Sequence, residues 1–168
     1  MLKNLLLTLT LLGLLAGCRA TAENTRPDGK LAFYLLTDNT FLSSTANLSQ
    51  LELAPEPLLN LADIVSYTAA THEISLTPAA VERLEQSNLP GLPFVVTVEQ
   101  RSIYAGEFMA LTFSRSSERV VILWPPLAGA ANTIQLQLGY PGPDFFRGDD
   151  PRADARVIEA LSQAGKLK

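Results

Sequence analysis

The stretch that most constrains the fold is a strand-like alternation leading directly into a capped helix, at residues 72–91. From His72 to Thr77 apolar and polar side chains alternate, which predicts a strand whose apolar face includes His72. Thr77 precedes Pro78, and a threonine cap followed by proline at the first helical position is typical of a helix start. We therefore expect a strand and a helix that follow each other without a loop.

The residues that come next extend this pair to a strand–helix–strand–strand unit. Val81 and Leu84 form the predicted buried stripe of the helix, which the sequence NLPG at 88–91 ends. The apolar run at 94–98 predicts a buried strand, and 103–108 predicts a second strand joined to it by a short turn. We expect this unit to be the core of the domain.

Weaker signals on either side predict the remaining elements. Strands and helices do not alternate regularly, which favours an α+β fold with a mixed or antiparallel sheet of about five to seven strands and two main helices. The other expected elements are strands at 31–37, 51–53, 120–124 and 134–138, a short helix at 58–67 leading into a strand, and a last helix that Asp149 or Asp150 caps, with Pro151 at its first position.

The first residues have the pattern of a secretion signal. Lys3 is followed by a leucine-rich run at 5–15, well short of the roughly 20 apolar residues that span a bilayer. The run leads into Leu-Ala-Gly-Cys at 15–18, which resembles the lipobox of exported bacterial lipoproteins. That resemblance implies that residues 1–17 are a lipoprotein signal peptide. It also implies that Cys18 carries diacylglycerol on its thiol and, after cleavage, an acyl chain on its amine.

A polar segment separates this cysteine from the rest of the chain. Residues 19–30 lack apolar periodicity, which predicts a flexible tether with an r.m.s. reach of roughly 20 Å. We expect a lipidated cysteine with its tether at 18–30 and a single α+β domain at 31–168 on the extracytoplasmic side. The membrane is the expected partner through the lipid on Cys18, and in bacteria with two membranes Arg19 favours the outer one.

Charge and cysteine content exclude several classes of function. The chain has 13 Lys and Arg against 17 Asp and Glu, and removal of Lys3 with the signal leaves a net charge of about −5. Because basic runs are absent, nucleic acid is not an expected partner. Cys18 is the only cysteine, so we expect neither an intramolecular disulfide nor a cysteine nucleophile. No cofactor is expected.

His72 is the only histidine, and two interpretations of it are open. It can be a half-buried side chain satisfied by a local hydrogen bond. It can also be the base of a small envelope hydrolase that acts with Ser66, Ser75 or an acidic residue, although the sequence holds no G-x-S-x-G motif. A zinc site is not expected, because it would need at least three protein ligands.

Acidic residues cluster near the carboxyl end of the chain, at Asp144, Asp149, Asp150 and Asp154. Carboxylates can hold Ca²⁺, but their spacing matches no EF-hand, and helix capping with local pairing to Arg152 explains the cluster. No metal site is therefore predicted. The expected surface site is the set that would converge if the turn before the last helix lies near the histidine: His72, Tyr104, Asp149, Asp150 and Arg152. The loops at 113–119 and 139–148 are the other expected binding surfaces.

A longer pattern carries two further resemblances. Residues 71–84 (THEISLTPAAVERL), 91–98 (GLPFVVTV), 103–108 (IYAGEF) and 150–152 (DPR) together resemble a group of uncharacterised exported bacterial lipoproteins. Part of this pattern, over a stretch of about 40 residues, is also similar to the extracytoplasmic head of SecD-type protein-export subunits. SecD-type subunits are polytopic membrane proteins, so this similarity implies an α+β scaffold and transfers no catalytic residue.

Anchor, tether and the lack of a catalytic motif together predict a binding or interaction module of the cell envelope, with an envelope protein as a possible partner. The hydrolase that uses His72 is the alternative.

Overall fold

A computed structural model describes residues 30–38, 46–126 and 132–168. The predicted signal peptide, Cys18 and most of the predicted tether lie outside the described residues. Within the described ranges, no helix has the length and apolar character needed to cross a membrane.

Nine strands and two α-helices are found in the described ranges. The strands are β1 (Ala32–Leu35), β2 (Leu59–Asn60), β3 (Ile64–Thr68), β4 (Glu73–Leu76), β5 (Pro93–Val98), β6 (Arg101–Met109), β7 (Ser117–Leu123), β8 (Thr133–Gln135) and β9 (Gln137–Tyr140). The helices are α1 (Pro78–Glu85) and α2 (Ala155–Gln163), with short 3₁₀ turns at Leu48–Gln50 and Pro143–Phe145.

The strands form a six-stranded sheet, in the order β2-β1-β5-β6-β7-β9, and a three-stranded sheet, in the order β3-β4-β8. Only β6 and β7 pair in parallel, so the larger sheet is mixed. The predicted α+β class, the number of helices and the size of the main sheet are confirmed. The second sheet was not predicted.

One hydrophobic core lies between the two sheets. Phe94 and Phe108 of the larger sheet meet edge to face, with ring centroids 5.3 Å apart. In the same core cluster, Ile74 comes from the smaller sheet, Leu84 from α1 and Leu161 from α2. The smaller sheet and both helices therefore pack against one face of the six-stranded sheet.

The opposite face of the larger sheet is covered by shorter segments. Small apolar clusters around Val95 and Val121 lie there. Residues 110–116 connect the parallel strands β6 and β7 without a helix, whereas such crossovers ordinarily take a dozen or more residues. This short connection runs back close to the strands, and its Arg115 reaches Glu107 within β6.

The strand–helix–strand–strand unit is confirmed by β4, α1, β5 and β6. Thr77 caps α1 by accepting a hydrogen bond from the Ala80 N–H at 3.3 Å, and Pro78 is the first helical residue. One detail differs: β4 begins at Glu73, and His72 belongs to the preceding turn.

The segment at 58–67 is not the predicted helix. It forms β2 and most of β3, which a turn separates. In that turn the Asn60 side chain accepts from the Ala62 N–H at 2.8 Å, and Asp63 accepts from the Asn60 N–H at 2.9 Å. Short polar side chains that bond nearby backbone groups favour turns over helices, and these two override the helix-like spacing of the leucines.

Two predicted strands are shorter than expected. The strand at 134–138 is interrupted at Leu136, and its halves belong to different sheets as β8 and β9. The strand at 51–53 is reduced to a single bridge between Leu53 and Leu36. Both predictions used local alternation, which does not reveal where a strand finds its partner.

The last helix starts later than predicted. Asp154, and neither Asp149 nor Asp150, caps α2 by accepting from the Arg156 N–H at 2.9 Å. Pro151 consequently lies in the segment before the helix. Local cap signals recur within this acidic stretch, and packing of the helix against the core selects among them.

Candidate functional site

His72 lies in the turn between β3 and β4, with left-handed backbone at a φ of 55°. This conformation costs a non-glycine residue about 1–3 kcal/mol unless its surroundings hold it. Two hydrogen bonds do so: the imidazole Nδ1 is 2.6 Å from the Tyr67 hydroxyl, and the His72 carbonyl accepts from the Leu136 N–H at 3.0 Å. His72 thus makes the local hydrogen bond that the first interpretation of it predicts.

Four residues close a ring of hydrogen bonds around this turn. Arg152 Nη1 donates to the Leu136 carbonyl at 2.8 Å, and the Tyr67 hydroxyl donates to the Arg152 carbonyl at 3.1 Å. Because the Tyr67 hydroxyl donates its hydrogen to the Arg152 carbonyl, its oxygen accepts a hydrogen bond from His72. The neutral imidazole therefore carries its hydrogen on Nδ1. The ring joins the smaller sheet to the β8–β9 junction and to the segment before α2.

Asp150 orients the arginine of this ring. Its Oδ1 accepts from the backbone N–H of Arg152 at 3.0 Å, and its Oδ2 lies 2.7 Å from Arg152 Nη2. These bonds hold the pKa of Asp150 below its usual value. The contact is the local pairing with Arg152 that the sequence predicts for this carboxylate.

Tyr104 lies behind the ring, deep in the core. Its hydroxyl is buried and has no hydrogen-bond partner among the described residues. Burial raises the pKa of Tyr104 well above its usual value, and Tyr67, Arg152 and Asp150 lie close enough to influence it. The structure therefore brings together four of the five predicted residues, but the prediction of a surface site is wrong for Tyr104, because that side chain is buried in the core. The fifth, Asp149, is exposed and lines a separate cleft beside strands β5, β6 and β7.

Two titratable members of the ring, Tyr67 and His72, are mostly uncharged near pH 7, whereas Arg152 is charged. Burial raises the pKa of Tyr67 to about 12. Burial and then the Arg152 charge lower the pKa of His72. Neither Ser66 nor Ser75 forms a hydrogen bond with the imidazole in the described structure, so no serine nucleophile is paired with the base that the hydrolase hypothesis requires.

Stability should fall in mild acid because of His72. The unfolded chain takes up a proton near pH 6.5, while the folded chain, with its lowered pKa, resists until lower pH. Acidification through this window therefore favours unfolding. We expect the urea midpoint of the full chain to fall between about pH 7.5 and about pH 5, and the fall to be smaller in His72→Asn, which keeps a residue that tolerates left-handed backbone.

Asp150 and Asp154 have pKa values lowered from the usual 3.8. The stability that these carboxylates contribute is therefore lost only in stronger acid, as the pH falls from that value through the lowered pKa of the folded chain. Their contribution does not overlap the histidine window. An equal loss of midpoint in wild type and His72→Asn would show that another group is responsible.

A second feature is a cleft of about 410 Å³ beside strands β5, β6 and β7 of the larger sheet. Its lining includes residues of β5, β6 and β7, the end of the β6–β7 connection, and the segment before α2. We call it the β6–β7 cleft. Both loops predicted as binding surfaces, 113–119 and 139–148, contribute residues to it.

Charged groups form part of the lining of this cleft. Glu107 is 8% exposed, and its Oε2 lies 2.6 Å from Arg115 Nη2. The Arg115 guanidinium also lies over the Phe113 ring, 5.4 Å from its centroid. Partial burial lowers the pKa of Arg119, although the nearby carboxylates of Glu107 and Glu118 oppose the shift. A carboxylate and two guanidinium groups thus share a partly desolvated surface.

Backbone irregularity places Arg119 in the cleft. The register between β7 and β9 shifts between Ser117 and Val120, so Glu118 and Arg119 lie in a bulge. Bulges re-aim side chains and are frequent beside functional sites. The Arg147 N–H donates to the Glu118 carbonyl at 3.1 Å, which fastens the second loop to this bulge.

Sequence reasoning predicted the loop 113–119, which contains Arg115 and Arg119, but singled out neither arginine as a site residue, nor Glu107. One signal was available: Glu107 is the only charged residue in the otherwise uncharged run at 103–108. A charge inside a buried strand needs a partner, and the sequence alone does not show which arginine supplies it.

A metal centre has no support in the described ranges, where no group of three or more His, Cys, Asp or Glu is placed to hold an ion. Of the acidic cluster, Asp150 pairs with Arg152, and Asp154 pairs with Arg156 at 2.7 Å. These carboxylates are used in capping and local ion pairs.

Comparison with protein-family models, with curated proteins and with solved structures gives no match to this chain. Function has to be inferred from the residues themselves.

Proposed function

We propose that this protein is a lipid-anchored, extracytoplasmic binding module whose ligand occupies the β6–β7 cleft. The lipobox-like sequence ending at Cys18 supports the anchor, and the polar stretch at 19–30 supports a tether that lets the domain stand off the membrane. In an organism with two membranes, Arg19 favours the outer one. An envelope protein or a small molecule of the envelope is the expected partner.

The observation that supports a binding role is that charged side chains in the lining of the cleft are partly buried. A sheet face that served packing alone would gain more from apolar side chains, because desolvating an ion pair commonly offsets its Coulomb energy. Glu107, Arg115 and Arg119 nevertheless line this cleft beside apolar residues such as Pro93 and Phe146. Apolar walls with a few convergent polar groups are the usual composition of a ligand site.

Binding is favoured over catalysis by how these groups are paired. In the described structure, Ser116 and Ser117 line the cleft without an imidazole, and the only histidine, His72, is held in a hydrogen-bond ring elsewhere. The hydrolase therefore stays an alternative without a paired nucleophile.

The proposal is tested by ligand-induced stabilisation of the full chain purified in detergent. A panel of small acids, amides, amines and phosphates is screened by thermal unfolding, in wild type, in Ser116→Trp and in Val65→Trp. Ser116 lines the cleft, whereas Val65 is exposed on the smaller sheet and serves as the matched control. A ligand at a hundred times its Kd should add about 2.7 kcal/mol of stability.

We expect at least one chemical class to raise the Tm of wild type and Val65→Trp but not that of Ser116→Trp. A panel without effect on wild type, or with an equal effect on Ser116→Trp, would contradict a binding role for the cleft.

A further inference from the structure

The lining of the β6–β7 cleft is balanced in charge. Among the described residues it contains three carboxylates and three guanidinium groups: Glu107, Glu118, Asp149, Arg115, Arg119 and Arg147. Glu107 lies 2.6 Å from Arg115, and both Glu107 and Glu118 lie close enough to Arg119 to oppose the lowering of its pKa by burial. Because opposite charges are interspersed, the lining as a whole attracts neither an anion nor a cation.

A charged ligand would lose more in this cleft than an uncharged one. Moving an ionised group out of water is costly unless a group of opposite charge compensates it. The buried carboxylate, Glu107, and the partly buried Arg115 already compensate each other. An uncharged polar group gives up far less hydration, so the balance of charges favours a neutral ligand.

Two exposed residues of the lining place a carboxylate and a guanidinium group side by side. The Arg147 N–H donates to the Glu118 carbonyl at 3.1 Å, so these residues lie on adjacent backbones, and both are exposed. Among the described residues no ion pair joins their side chains to each other. Arg147 Nη1 donates to the carbonyls of Asp144 and Phe146 at 2.9 and 3.0 Å, which uses one nitrogen of a guanidinium that has further N–H donors.

An amide is the uncharged group that matches such a pair. Its N–H can donate to a carboxylate and its carbonyl can accept from a guanidinium, so both hydrogen bonds are charge-assisted although the ligand has no charge. A hydroxyl donates and accepts at one oxygen atom and spans less distance between two partners. Phe146 and Pro151 add apolar surface, and the volume of about 410 Å³ falls within the range of small-molecule sites, roughly 300–1,000 Å³.

We propose that the β6–β7 cleft binds an uncharged amide on an apolar body, with Glu118 accepting from the amide N–H, Arg147 donating to its carbonyl and Phe146 contacting the body. This inference rests on the proposed binding role and deepens it by naming the ligand chemistry. Two sources share that chemistry, a free small amide and the amide groups of a peptide chain.

The test is isothermal titration calorimetry on the full chain in detergent, with weak binders measured by displacement of the amide. Four probes share one carbon skeleton: 4-phenylbutanamide, 4-phenylbutanoate, 4-phenylbutylamine and 4-phenylbutanol. We expect the amide to bind at least tenfold tighter than the acid and the amine, and at least threefold tighter than the alcohol. Free phenylalanine tests a zwitterion, and acetyl-Ala-Phe-amide tests the peptide source, which is identified if this dipeptide binds tighter than 4-phenylbutanamide.

Variants at the two exposed positions assign the preference to named residues. Glu118→Gln removes a negative charge and Arg147→Gln a positive one, so the ratio of acid to amine affinity should rise at least threefold in the first and fall at least threefold in the second. Both should weaken binding of the amide at least threefold, because one hydrogen bond is no longer charge-assisted. Glu56→Gln, which is exposed and outside the cleft, is the matched control and should change neither quantity.

Opposite shifts in the two variants cannot come from a general loss of structure. The inference would be overturned if the acid, the amine or phenylalanine bound as tightly as the amide, or if both variants left the acid-to-amine ratio unchanged. If one of those charged probes binds and Ser116→Trp blocks it, the binding role stands while the amide assignment fails. Failure of every probe also overturns the amide assignment, whereas the binding role fails only if the wider panel is without effect as well.

Discussion

Replacing Gly106 with alanine should lower the free energy of unfolding by about 3 kcal/mol, the upper end of the range for overpacked cores. A Cβ at this position would lie 2.3 Å from Cζ of Phe94 and 2.6 Å from the Val120 carbonyl oxygen. The ring cannot easily move away, because Phe94 is fully buried and packs against Phe33 and Phe108 with centroids 5.8 and 5.3 Å distant. Only a glycine at position 106 leaves room for the Phe94 ring to lie against the backbone of β6.

Urea unfolding of the full chain, followed by circular dichroism, measures this effect. Gly142→Ala is the matched control, because nothing lies within 4 Å of its added Cβ and its φ of −169° is ordinary extended backbone. The control should change stability by less than about 0.5 kcal/mol. If the two alanine variants behaved alike, the close approach of Phe94 to Gly106 would be wrong.

A double-mutant cycle separates the two clashes. Phe94→Leu removes the ring contact and should cost less in the Gly106→Ala background than in wild type. Phe94→Leu should restore only part of the stability lost in Gly106→Ala. The added Cβ would still clash with the Val120 carbonyl, a backbone group of the neighbouring strand that no side-chain substitution removes. Gly106 also lines the β6–β7 cleft next to Glu107, so any displacement of β6 should weaken ligand binding as well.

The elements that sequence reasoning predicted best are those fixed by neighbouring residues. Thr77 and Pro78 start α1 through contacts within one turn, and the alternation at 73–76 needs only its own residues to be recognised. The failed helix at 58–67 is instructive, because a local signal was also present there. Asn60 and Asp63 are turn-forming residues, and their bonds to nearby N–H groups outweighed the spacing of the leucines.

The candidate sites were harder to predict because their members are distant in sequence. The hydrogen-bond ring joins His72, through Leu136, to Arg152, which is 80 positions further along the chain, and this arrangement depends on where β8 and β9 separate. The ion pair of Glu107 and Arg115 depends on a parallel pairing with an unusually short connection. Local pattern reveals a strand but not its partner, so register-dependent contacts are out of its reach.

Replacing Cys18 with serine should abolish lipidation of the protein. A thioether forms only at a thiol, and Cys18 is the only cysteine in the chain, so no other residue can substitute. In lipoproteins of the kind that the 15–18 sequence resembles, lipid is attached before the signal is cut. We therefore expect Cys18→Ser to lose its lipid and to retain residues 1–17.

Two measurements test this prediction. Growth with an alkyne-labelled fatty acid, followed by gel analysis, detects lipidation, and the intact mass shows whether residues 1–17 have been removed. Wild type should carry the label and the lipid mass on a chain that lacks residues 1–17, while Cys18→Ser should be unlabelled, with the mass of the signal peptide retained and that of the lipid absent. Ala20→Ser, two positions along the predicted tether, is the matched control and should keep label and mature mass. Each buried lipid methylene contributes about 0.8 kcal/mol to membrane binding, so two or more chains anchor stably where one does not. A labelled, processed Cys18→Ser protein would contradict the anchor, and the β6–β7 cleft would then have to be explained without a membrane.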